Sequence, residues 1–202
     1  MNHLRILSAS LIASLVLGAG MLASVEARAS DYDGDGAPDT WDVYPKDPNL
    51  ASVGYSPAKG QYGMVMFEDQ WPRRFDFDFN DAVVAYNFKY RFNSQNRVHS
   101  LRATFDVLAL GGTRDLGLGL RLEQADARQV RRVEVTVGWG PQPRLVTPLP
   151  QDRRMTIVIT DDVRRDLFGG ASGQINSSIR APRRQGLPVS MEVEFRTPQW
   201  FS

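Results

Sequence analysis

The chain has 202 residues, 42% hydrophobic and 23% charged, with 24 basic and 23 acidic side chains and no cysteine. That composition suits one folded core of roughly 150 residues plus an appendage, and it excludes a disordered or fibrous chain. Without cysteine there is no disulfide framework and no residue for a cysteine-borne lipid.

Arg5 precedes an uncharged run over residues 6–25, and the small residues Ala27 and Ala29 follow it in an A-x-A arrangement. The pattern predicts a secretory signal peptide over residues 1–29, cleaved after Ala29. An uncleaved anchor helix is just permitted by length, but the run is rich in Ala, Ser and Gly. No later stretch is apolar enough to span a bilayer, so the processed chain is expected to have no membrane span. Its expected place is the periplasm, the cell surface or the medium. Cleavage removes Arg5, Arg28 and Glu26, which leaves the two signs in balance. Half of the remaining acids lie within residues 31–81, whereas arginine pairs come later, at 131/132, 153/154, 164/165 and 183/184. This segregation points to cation binding at the N-terminal end. The scattered arginine pairs read as solvated faces.

Residues 30–50 are rich in Asp, Pro and Gly and carry no strand or helix pattern. Within them, DYDGDGAPDTWD can be numbered as an oxygen-donor loop. Asp31, Asp33 and Asp35 take positions 1, 3 and 5, Gly36 position 6, the Ala37 carbonyl position 7, Asp39 position 9 and Asp42 position 12. Calcium takes six to eight hard oxygens at about 2.3–2.6 Å, and alternating Asp side chains around a glycine turn can wrap it. The plain alternative is a solvated acidic linker. Pro38, Pro45 and Pro48 exclude the continuous helices of an EF-hand. The stretch resembles the thrombospondin type 3 repeat, whose bacterial versions run D-x-D-G-D-G-x-x-D-x-x-D followed by a proline and D-P. Here that ending is YPKDPN, so the match covers residues 31–49 and lacks only the cysteines of animal versions. The resemblance implies calcium ligation by the Asp positions.

A second acidic cluster follows in EDQWPRRFDFDFNDAVVAYNF, with Glu68, Asp69, Asp76, Asp78, Asn80 and Asp81. Strand alternation would line up Asp76, Asp78 and Asn80 on one side while Phe75, Phe77 and Phe79 enter the core. Glu68 and Asp69 could fold back across the Trp71-Pro72 turn to the same point. Converging carboxylates need a cation or raised pKa values, and for an exported chain calcium is the favoured answer. The motif, from Phe67 through Glu68, Asp69, Trp71, Pro72, Asp76, Asp78, Phe79, Asn80, Asp81, Val83 and Val84 to Tyr86, resembles the signature of the LruC domain. With LRATFDVLALGG and GLGLRL, the similarity extends over residues 57–198. It implies a β-rich domain of the cell envelope or medium and supplies no reaction.

Period-two alternation predicts strands at residues 82–92, 101–109, 133–137, 155–159 and 187–195, and a further one near 116–122. Gly117 and Gly119 suggest close approach of a neighbouring backbone there. Strands with one apolar and one polar face predict an all-β fold, an antiparallel two-sheet β-sandwich of jelly-roll-like form with an N-terminal calcium-binding loop. One helical turn is expected in TDDVRRDLFGG, capped by Thr160 and stopped by Gly169. Residues 169–186 read as a long surface loop.

The function that follows is an exported calcium-binding module with a structural or ligand-binding role at the cell envelope and no catalysis. One alternative is adhesion to an extracellular glycan or surface protein, with Trp41, Trp71, Trp139 and Trp200 as candidates and at least two of them expected in the core. Another is a glycoside hydrolase using a carboxylate pair such as Glu68 and Asp78, against which the close packing of the acids stands. His99, beside Ser100, reads as ordinary surface, and the NSS sequon at Asn176 as a polar loop. No Gly-rich phosphate loop precedes a helix and no basic aromatic face is present, so nucleic acid is not an expected partner.

Overall fold

The alternating segments are strands in the computed structural model, which describes residues 30–68, 79–112, 114–140, 142–151, 154–179 and 183–200. The signal-peptide expectation for residues 1–29 lies outside that set. Among the described residues the strands are β1 (Ser52–Ser56), β2 (Gly63–Phe67), β3 (Ala82–Phe92), β4 (Val98–Ala109), β5 (Leu118–Leu122), β6 (Val130–Val137), β7 (Arg144–Leu145), β8 (Leu149–Gln151), β9 (Arg154–Thr160) and β10 (Val189–Gln199). One short helix, α1 (Val163–Phe168), follows β9. No described helix is long and apolar enough to cross a membrane.

Seven strands form one sheet in the order β1-β3-β4-β10-β6-β7, with β2 also paired to β3, and three form a second in the order β5-β9-β8. All pairings are antiparallel. Leu101, Ala103 and Phe105 on β4, Val133 and Val135 on β6, and Met191 and Val193 on β10 face Met155, Ile157 and Ile159 on β9 in one buried cluster. Each large side chain so buried contributes about 1.5–3 kcal/mol relative to exposure. The alternating sequence therefore produces the expected all-β sandwich: one sheet face must be covered by the other. The opposite face of the large sheet carries Arg102, Thr104, Glu134, Thr136, Ser190 and Glu192.

Several details depart from the sequence expectations. A strand unassigned in the sequence, β1, begins the large sheet at Ser52, pairing Ser52 with Phe92 and Ser56 with Phe88. The last strand starts at Val189, and Leu187 lies exposed before it. Helix α1 is capped by Asp162, whose carboxylate accepts from Arg165 N at 2.8 Å, and not by Thr160. Thr160 is still in β9, and its hydroxyl instead bonds Asp166. Gly169 ends the helix in the left-handed conformation as expected. The segment after it is not wholly surface, because Ile175 is buried in the core and bridges to Leu110 through paired backbone hydrogen bonds of 2.8 and 2.9 Å.

The described tryptophans lie outside the core, contrary to the expectation that at least two would be buried. Trp41 is 84% exposed and Trp139 83%, and Trp200 is also exposed, against Arg97 at 5.6 Å. The core is filled by aliphatic residues and by the aromatic row of β3, where Phe88 meets Phe105 edge-on at 6.0 Å. Trp71 lies outside the described residues. Asn176 is held by structure: its amide donates to the Leu108 and Arg184 carbonyls and accepts from Arg184 N.

Candidate metal centre

The acidic loop is shaped by its own backbone. Asp31 accepts from Gly34 N at 2.9 Å and from Gly36 N at 3.1 Å. Asp33 accepts from Asp35 N at 3.2 Å, and Asp35 from Ala37 N at 2.7 Å. Such closures are the local turns that Asp side chains favour. Gly34 and Gly36, with φ of 75° and 97°, supply the left-handed residues that let the chain fold around the carboxylates.

As a result Asp31, Asp33 and Asp35 each place a carboxylate oxygen within 4.8 Å of the other two. Three oxygens have a further property. Asp33 Oδ2, Asp35 Oδ2 and Asp42 Oδ2 are shielded from solvent and accept no hydrogen bond. Asp42 itself is only 9% exposed, and its other oxygen accepts from Tyr44 N at 2.6 Å. A buried, unsatisfied charged oxygen is costly. Hard anionic oxygens presented in this way are the donor set that calcium takes, so the residues fit the ion.

Asp39 and Asp42 do not join the mutual 4.8 Å group. Asp39 is turned to the loop's closure: its Oδ1 accepts from Tyr32 N at 2.9 Å, while Asp39 N donates to the Ser30 carbonyl at 2.7 Å. The Ser30 side chain first, and Tyr32 N second, hold its carboxyl below the usual carboxylate range. Ala37 lies in the loop, where its N–H is engaged by Asp35.

The loop is tied to the large sheet. Ser94, in the turn between β3 and β4, donates to the Asp35 carbonyl at 2.7 Å, and Ala51 N donates to the Phe92 carbonyl at 2.8 Å. Val43 N in turn donates to the Ala51 carbonyl at 2.8 Å.

The second acidic cluster is placed differently. Asp69, Asp76 and Asp78 lie outside the described residues, as do Phe75 and Phe77. Glu68 follows β2 and Asp81 precedes β3, and the pairing of Phe67 with Ala82 sets them at the same end of that hairpin. Both line a cavity of about 380 Å³ whose other walls include Val84, Val107, Leu118 and Val163. Glu68 and Asp81 belong to no group of three His, Cys, Asp or Glu ligands among the described residues. The expected strand alternation fails at Phe79, which has φ of 51° and is 45% exposed. That left-handed conformation is not a strand conformation, and β3 begins only at Ala82. The Asn80 carbonyl instead accepts from Gly111 N at 2.9 Å.

His99 is not ordinary surface. Its Nδ1 is buried without a hydrogen-bond partner, in a polar groove lined by Arg91, Arg132, Glu134, Glu192 and Glu194. Simple alternation along β4 would put it on the core face with Leu101 and Ala103; the register shift between Ser100 and Val98, which leaves His99 without a partner on β3, turns it to the groove instead.

The chain matches no protein-family model and no curated protein. It is similar in structure to a crystal structure described as "Putative lipoprotein from Bacteroides ovatus", with a TM-score of 0.53 and 20% sequence identity over 74% of this chain. The match spans 47% of that protein, about half its length. The likeness concerns the fold.

Proposed function

We propose that this chain is an exported β-sandwich module whose N-terminal acidic loop binds calcium, with a structural or ligand-binding role at the cell envelope. The observation that carries the reading is the trio of buried carboxylate oxygens on Asp33, Asp35 and Asp42 that accept no hydrogen bond. Asp31, Asp33 and Asp35 hold the ion. It supplies positive charge that lets these carboxylates stay close, and no reaction is assigned to it. Because Ser94 and Ala51 tie the loop to the β3–β4 turn, an ordered loop also orders one end of the large sheet.

Export is supported by the signal-like residues 1–29 and by the name of the structural neighbour. Assignment of residues 57–198 to a LruC-like domain, and of residues 31–49 to a thrombospondin type 3-like repeat, belongs to the same proposal and rests on sequence pattern. Extracellular calcium modules typically bind at about 10⁻⁴ to 10⁻³ M, which makes such a loop empty inside the cell and loaded outside. A ligand that binds only the folded state adds about 2.7 kcal/mol at 100 times its dissociation constant. For a chain of this size that is a rise of about 5–10 °C in melting midpoint. Heating curves with calcium and with chelator test this, and identical midpoints would remove the reading.

A further inference from the structure

The outer face of the large sheet carries a recess beside the turn that follows β6. Register across three strands aligns Thr104 on β4 with Ser190 on β10 and Ser190 with Thr136 on β6. Neighbouring strands lie about 4.8 Å apart, so the three hydroxyls form a straight lateral row. At one end of the row the chain leaves β6 through Gly138, with φ of 72°, and presents Trp139 to solvent. Trp139, the three hydroxyl residues and Arg102 line one recess of about 330 Å³, near the lower end of ligand-pocket volumes.

Among the described residues, Arg102 differs from the arginines around it in lacking a carboxylate partner. On the same face Arg91 pairs with Glu192 at 2.7 Å, Arg132 with Glu134 at 2.5 Å and Arg131 with Glu194 at 3.0 Å. Glu192 stands opposite Arg102 in the strand register but is held by Arg91. Among the described residues no ion pair engages Arg102, and it is exposed beside the hydroxyl row.

We propose that this recess binds an acidic saccharide. The class follows from the chemistry of the walls. An exposed indole offers a flat π-face that attracts the positive edge of C–H bonds, and a pyranose ring presents such C–H bonds on one face. Threonine and serine hydroxyls both donate and accept, which matches the hydroxyl rim of a sugar. A guanidinium without a carboxylate partner suits a uronate carboxylate, which it can grip through two parallel hydrogen bonds. The proposal deepens the ligand-binding part of the function given above, and it does not depend on calcium uptake by the acidic loop.

The test is calorimetric titration of the processed protein, in millimolar calcium, with hyaluronan tetrasaccharide as the uronate probe and cellotetraose as the neutral one. The wild type is expected to bind the uronate probe more tightly than the neutral one. Trp139→Ala is expected to weaken that binding by about tenfold or more. Arg102→Gln is expected to remove the preference for the acidic probe. Both side chains are exposed, and melting curves confirm that each variant is folded. Trp41→Ala, on the acidic loop, is the control and should bind as the wild type does. No binding of the uronate probe by the wild type overturns the proposal, as does binding unaffected by Trp139→Ala. Equal binding of both probes, insensitive to Arg102→Gln, overturns the acidic assignment. Loss of calcium uptake in Asp33→Asn with saccharide binding retained would separate a failure of this site from a failure of the metal loop.

Discussion

Ser94 Oγ, in the turn between β3 and β4, donates a 2.7 Å hydrogen bond to the backbone carbonyl of Asp35 in the acidic loop. The two residues are far apart in sequence, so this bond joins the candidate metal loop to the sheet that builds the core. A single such bond contributes about 0.5–1.5 kcal/mol net. Ser94→Ala is expected to lower stability by about 1 kcal/mol and to weaken calcium binding modestly, because the free loop then has more conformations to lose. Urea unfolding with and without calcium measures both effects. A variant indistinguishable from wild type in both would show that the loop and the sheet are uncoupled.

Asp35→Asn tests the ligand set. The amide keeps the size of the side chain, and its carbonyl oxygen can still accept from Ala37 N, so the turn is preserved. It removes the charge of an oxygen that accepts nothing in the fold. In calcium the melting midpoint should fall toward the wild-type value in chelator. In chelator the variant should be as stable as wild type or slightly more so, since a crowded negative charge has been removed. Destabilisation equal in both conditions would assign Asp35 a purely structural role.

Asp166 carries a pH signature at the other end of the molecule. Arg165 first, by a hydrogen bond from Nε at 2.7 Å, and the Thr160 hydroxyl second hold its carboxyl down to about 2. The unfolded value is about 3.9. A depressed folded-state pKa gives stability that is present above the unfolded value and lost as pH falls through the folded one. Wild type should therefore exceed Asp166→Asn in stability at neutral pH, and the gap should close between about pH 4 and pH 2. Melting curves across that range check the sign. A gap unchanged by pH would mean that the charge is not the cause.

Gly119 tests the contact between strands β5 and β9. A Cβ there would lie 3.1 Å from the Ile157 carbonyl oxygen, a backbone atom that cannot swing aside. Gly119→Ala should cost about 1–3 kcal/mol, the usual range for overpacking. By comparison, Ile157→Ala removes a fully buried side chain from the centre of the core and should cost about 2–5 kcal/mol. Denaturant midpoints rank the two. A neutral Gly119→Ala would show that the smaller sheet can shift at that edge.

Much of the fold could be read from alternation because the long strands β3, β4 and β10 each have one face against the core and one against water. The close approach signalled by Gly117 and Gly119 is also present, with Cβ positions 3.1 Å from the Thr160 and Ile157 carbonyls. β1 escaped notice because SVGYS is short and contains a glycine, so its place depends on pairing with β3 rather than on its own pattern. The tryptophans misled because burial preference is an average. Trp41 and Trp139 sit in turns that project from the body, where local backbone geometry overrides hydrophobicity. In the acidic loop the spacing of Asp31, Asp33 and Asp35 told directly which oxygens meet, since three alternate residues around a glycine turn leave little freedom. The engagement of Asp39 with Tyr32 N and Ser30 was not legible, because it depends on how the loop closes on its own start. Phe79 departed from the Phe-Asp alternation for a similar reason: a positive φ is a property of the turn, invisible to a period-two count.

Everything proposed for the acidic loop depends on its holding a divalent ion. Native mass spectrometry of the processed protein, equilibrated with millimolar calcium and sprayed after buffer exchange, tests it most directly. One retained calcium is expected, absent from the Asp33→Asn, Asp35→Asn double variant; a wild-type mass equal to that of the bare polypeptide at millimolar calcium would refute the site.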